Sequence, residues 1–79
     1  MNEREDEFLE KCMTLVEMIV SINANNSRED CLEIAKKMRA KAETCGKPDV
    51  FEAYKNVVTI FEFISEQEFE ALRKTVFPQ

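Results

Sequence analysis

The chain's only glycine, Gly46, stands two residues before Pro48, one of its two prolines, and no other point in the 79 residues breaks a helix as firmly. Glycine supplies the left-handed residue that closes a helix, and proline cannot continue one. One helix must therefore stop near residue 45 and another can start soon after. Everywhere else the chain lacks strong breakers and is rich in Glu, Lys, Met, Leu and Ala, with 44% apolar residues, a balance that favours helix over sheet.

Serines mark two further starts. Ser27 can accept from the backbone three residues on while Asp30 returns a bond, and Ser65 with Glu68 offers the same pattern. Between these points apolar residues recur at three-to-four spacing: Phe8 to Ile22, Cys31 to Cys45, and Val50 to Ile64. The predicted fold is all-α, a compact three- or four-helix bundle with helices at about 5–23, 28–45, 50–64 and 66–76. The third of these is expected to start on a cap-and-return pair, Asp49 with Glu52. The fourth helix is the open point, because Phe69, Leu72 and Val76 continue the face of the third without a phase break. We place a break at Ser65, which would otherwise sit in the middle of an apolar face; without it one helix runs to Val76.

The similarity of Ser27 and Ser65 suggests a repeat, but the halves share no core signature, and a solenoid needs about three repeats to bury its faces. The acids Glu3, Glu5, Asp6 and Glu7 read as a helix start, where carboxylates meet the positive end of the helix dipole. The apolar run Met13 to Ile22 is interrupted by Thr14, Glu17 and Ser21 and is too short to span a bilayer. With an acidic "MNEREDEF" in place of a basic presequence, the expected location is the cytoplasm, with no membrane association. Cys12, Cys31 and Cys45 form no CxxC pair, so free thiols acting as small core hydrophobes are expected, with no disulfides.

Several chemistries are excluded or disfavoured. There is no histidine, which removes Ser-His and Cys-His nucleophiles and the usual zinc sites, and one glycine cannot build a phosphate-cradling loop. None of the sixteen acids sits where a desolvated, raised-pKa pair is suggested. We expect no enzyme, no cofactor and no metal. The stretch "SINANNSREDC" fails as a calcium loop, since Arg28 stands at the turn-glycine position and Ile34 at that of the bidentate Glu. Asn25-Asn26-Ser27 spells a glycosylation sequon, which a cytoplasmic chain would not use. The stretch reads as a corner whose asparagines end the first helix in left-handed conformations.

What remains is surface. The net charge is −5, but residues 31–47 are basic, with five cations against two acids. Lys36, Lys37 and Lys41 belong to that segment; with Arg39 they scatter on both sides of the apolar stripe, which suits a solvated flank or docking onto an acidic protein better than nucleic acid. On their helices Met18 and Phe63 fall far from the centre of the oily face, where single apolar residues are ordinary. Two apolar arcs about 180° wide are nevertheless more than one small bundle readily covers. The favoured reading is therefore a small acidic protein-protein interaction module, an adaptor, inhibitor or chaperone-like accessory. It would act through Met18, Phe63, Lys36, Lys37 and Lys41, with self-association as a homo-oligomer expected. The alternatives are a carrier of a small apolar ligand, with Tyr54 the one polar group in the apolar arc, or a nucleic-acid regulator using the basic helix.

Overall fold

A computed structural model describes residues 3–78 of the chain. It contains four helices and no strand among the described residues: α1 (Glu3–Val20), α2 (Arg28–Thr44), α3 (Pro48–Phe63) and α4 (Glu66–Val76). No helix among them is long and apolar enough to cross a membrane.

The two serine caps form as the sequence requires. Ser27 Oγ accepts from the Asp30 N–H at 3.1 Å and the Ser27 N–H donates to Asp30 Oδ2 at 3.1 Å. Ser65 and Glu68 repeat this at 3.0 and 3.2 Å, so the third and fourth helices are separate. The two bonds from Ser65 hold the Glu68 carboxyl below its usual pKa range. A depressed pKa means the cap is intact above the ordinary value of 4.5 and loosens as pH falls below it. Gly46 takes φ 68°, and the Lys47 and Gly46 N–H groups donate to Ala42 and Glu43 carbonyls at 3.2 Å each, the crossed pair of bonds that closes a Schellman turn.

Three local expectations are corrected. α3 starts at Pro48, two residues early, with Lys47 as its cap and no side-chain bond there, because proline's fixed φ and missing N–H suit the first helical position. Asp49 is left to act on the dipole alone. α1 stops at Val20, three residues short, and no non-glycine residue among those described has positive φ. Ser21 Oγ donates to the Met18 carbonyl at 2.6 Å, and Asn23 Oδ1 accepts from the Asn25 N–H at 2.9 Å, so side chains close this corner in place of left-handed backbone. Third, Cys45 is exposed, because the C-cap position lifts it off the packed stripe of α2. The side chains of Glu3 and Glu5, expected to meet the dipole of α1, lie outside the described residues.

α2 packs most extensively on α3, which also carries α1; α4 reaches α1. The core joins Cys12, Val16, Ile19 and Val20 of α1 to Cys31, Ala35 and Ala42 of α2, with Ala53, Tyr54, Val57, Val58 and Phe61 of α3 and Phe69 of α4. The rings of Phe61 and Phe69 meet edge to face at 6.5 Å and 65°, an arrangement that adds about 0.5–1.5 kcal/mol to their burial. Small residues let the backbones approach closely: the Cys12 thiol contacts the Ala53 carbonyl at 3.8 Å. The molecule measures 36 × 31 × 20 Å, and its thin axis equals about two helix diameters. In such a slab each helix keeps an outward face that nothing covers.

Candidate interaction surface

That geometry decides where apolar residues are left outside. On α3 the broad apolar arc is mostly covered, and Phe63, the last residue of the helix and off that arc, projects, 83% exposed. On α1 the arc is too wide for its neighbours: Leu9 is 60% exposed, Met13 and Met18 43% each, and Ile22 just beyond the helix 57%. Leu9 and Met13 stand one turn apart, with the acids Glu10 and Glu17 beside them. Met18 lies across the helix, in a groove with Thr75 and Val76 of α4, and Phe63 stands outside that groove.

The three candidate lysines are all exposed on α2. Lys37 and Lys41, one turn apart, lie on one flank of its buried stripe and Lys36 on the other. Lys36 sits apart, 3.9 Å from Glu33, an exposed pair whose attraction is about 0–1 kcal/mol and screened by salt. No single basic face forms from the three. Tyr54 is buried with its ring in the core.

Two arginines with no distinguishing motif around them tie the corners together. Arg28, at the first position of α2, donates through Nη1 to the carbonyls of Phe61 at 3.0 Å and Glu62 at 3.4 Å, and through Nε to Glu66 at 2.9 Å. The break at Ser65 leaves the last-turn carbonyls of α3 without helical partners, and a cation there also meets the negative end of the helix dipole. Arg73 of α4 donates to the Asn26 carbonyl, pairs with Glu70 at 3.2 Å and lies 5.0 Å from the centre of the Phe69 ring. It thus holds the α1–α2 corner against α4. The contacts to Phe61, Glu62, Glu66 and Asn26 join residues 33 to 47 positions apart, beyond any local pattern. Next to this clamp, Asn26 Nδ2 is buried without a hydrogen-bond partner.

The thiols divide into two environments. Burial pushes Cys12 up from its ordinary pKa of 9.0, against a smaller opposing pull from Lys11. Burial likewise raises Cys31, opposed by Arg73 and assisted by Asp30. With raised folded values, both contribute stability that is complete below pH 9.0 and lost as pH climbs past it, where the unfolded chain ionises first. Thiolates are the reactive species. In the native protein one thiol, Cys45, is expected to react promptly with a disulfide reagent at neutral pH, while Cys12 and Cys31 react only after denaturant is added; prompt titration of all three would contradict the packing. No protein family, curated protein or solved structure matches this chain.

Proposed function

We propose that this chain is a small acidic helical interaction module, without catalysis of its own, that binds a partner protein or a second copy through apolar side chains left on its helix faces. The reading is carried by Phe63, a large aromatic residue 83% exposed at the end of α3. A phenylalanine left this exposed gains little from folding, whereas buried in a partner's pocket it is the kind of anchor that dominates binding energy. The absence of histidine and the single glycine weigh in the same direction by removing the commoner catalytic designs.

The test is Phe63→Glu. Surface substitutions of this kind shift stability by about 0.5 kcal/mol or less, so helicity and melting temperature should match the parent. Association should not: the mass seen by sedimentation at high concentration, or the partner retained by immobilised protein, is expected to be lost. A variant that unfolds would place Phe63 in the core, and one that associates like the parent would remove Phe63 from the interface.

A further inference from the structure

The outer side of α1 is a second surface with a chemistry of its own. At about 100° per residue, Glu10, Thr14, Glu17 and Ser21 form a ridge along it, with Leu9 and Met13 on one flank and Met18 on the other. Two hollows border this ridge: one of about 450 Å³ along Leu9 and Met13, and one of about 490 Å³ along Met18, closed on its far side by Thr75 and Val76. They share Thr14 and Glu17 and so form one continuous surface. From Leu9 to Ser21 it runs about 18 Å, enough for three turns of an apposed helix. A third hollow, of about 940 Å³, extends it towards the start of α3, where Asp49 and Glu52 face Glu7 and Glu10. Around the apolar residues stand Asp6, Glu7, Glu10, Glu17, Asp49 and Glu52, and among the described side chains lining the hollows Lys11 is the one cation.

We infer that this face docks a basic amphipathic helix of a partner protein. The proposal rests on the interaction reading above but names a different surface and a specific partner chemistry. Exposed methionine and leucine offer an adaptable apolar strip, since the unbranched thioether repacks around varied side chains. The carboxylates bordering it select lysine- and arginine-flanked ligands and raise their rate of encounter. A helix laid beside the acidic ridge would place leucines against Leu9 and Met13 and cations over Glu10 and Glu17. A symmetric pair of this chain's own α1 faces is disfavoured, because a two-fold interface sets each acidic face against itself. Nucleic acid carries the wrong sign.

The probe is a fluorescent peptide of about 18 residues, five helical turns, built from leucine and lysine in amphipathic order. It is compared with a scrambled peptide of the same composition and with a leucine–glutamate counterpart. The amphipathic basic peptide is expected to bind the intact protein at least about tenfold tighter than the scrambled one. Its affinity should fall as salt is raised from about 50 to about 300 mM, where exposed charges are screened, and the acidic peptide should not bind. Leu9→Gln with Met13→Gln, and separately Glu10→Lys with Glu17→Lys, should each weaken binding about tenfold or more. Glu43→Lys with Glu62→Lys makes the same change of charge on α2 and α3 and should leave the affinity close to the parent's. Phe63→Glu should leave it unchanged. Equal binding of the scrambled peptide, equal loss in the Glu43/Glu62 variant, or indifference to Leu9→Gln with Met13→Gln would overturn the proposal in favour of non-specific charge attraction. Salt-sensitive self-association abolished by Lys37→Glu with Lys41→Glu would also overturn it, by assigning the face to α2 of a second copy. Any of these results leaves the role of Phe63 intact if Phe63→Glu still abolishes association, so the two readings fail separately.

Discussion

Phe61→Ala is expected to remove a large share of the protein's folding stability. Phe61 is fully buried and holds the ring of Phe69, also buried, at 6.5 Å. Removing a core phenylalanine costs about 3–5 kcal/mol through lost transfer energy and the cavity left behind. A domain of 79 residues has about 4–12 kcal/mol in total. With a shift of about 4–8 °C per kcal/mol for domains of this size, the melting temperature should fall by tens of degrees or the transition should disappear. The contrast is with Phe63→Ala, two positions along the same helix, which should cost about 0.5 kcal/mol or less because the ring it removes is already in water. Thermal melts followed by circular dichroism measure both. A similar loss in the two variants would mean that the Phe63 ring is packed in the core as the Phe61 ring is.

The second large effect is at the corner between α3 and α4. Arg28→Glu should destabilise the protein by about 2–3 kcal/mol, because hydrogen bonds from a charged donor contribute about 1.5–3 kcal/mol and the variant deprives the Phe61 and Glu62 carbonyls of theirs. It also places a carboxylate at the negative end of the α3 dipole and beside Glu66. The ion pair itself is a minor part. Glu66 is 71% exposed there, so salt screens the attraction and its share is below about 1 kcal/mol. Arg28→Met separates the contributions, since it keeps the aliphatic stem against the corner while removing the donors. It should cost less than Arg28→Glu, and the difference between them should shrink in high salt. Urea unfolding of the two variants measures this. If Arg28→Glu matches the parent, the corner is held by the Ser65 cap alone.

The residues that could be read in advance are those whose partners are near in sequence. Ser27 with Asp30 and Ser65 with Glu68 act within three positions and start α2 and α4 where the sequence puts them, while Gly46 and Pro48 separate α2 from α3 as expected but with α2 ending at Thr44 and α3 starting at Pro48. The end of α1 was less legible because Ser21 and Asn23 each had several ways to satisfy the same backbone groups, and the left-handed route was one of them. Arg28 and Arg73 were not legible at all, since nothing near them in sequence marks a guanidinium as a clamp and not a surface charge. The candidate surface falls between these cases. Helical phase alone placed Phe63 and Met18 away from the oily centre, and both are exposed. The same phase put Leu9, Met13 and Ile22 within the apolar arc of α1, yet they are also exposed. Periodicity tells which residues share a face; whether anything covers that face depends on how many helices surround it, and a slab 20 Å thick has none to spare.

If the interaction reading holds, these outward apolar residues are surplus to folding. Equilibrium urea unfolding of the triple variant Leu9→Gln, Ile22→Gln, Phe63→Gln tests it most directly, because the three parent side chains are 60%, 57% and 83% exposed. If they serve binding, the variant should unfold in one cooperative transition with the parent's denaturant slope and a total loss of no more than about 1.5 kcal/mol, the sum expected for three surface changes. A loss above about 4 kcal/mol, the scale of core truncations, would mean that the fold itself uses these residues and would contradict the interaction reading.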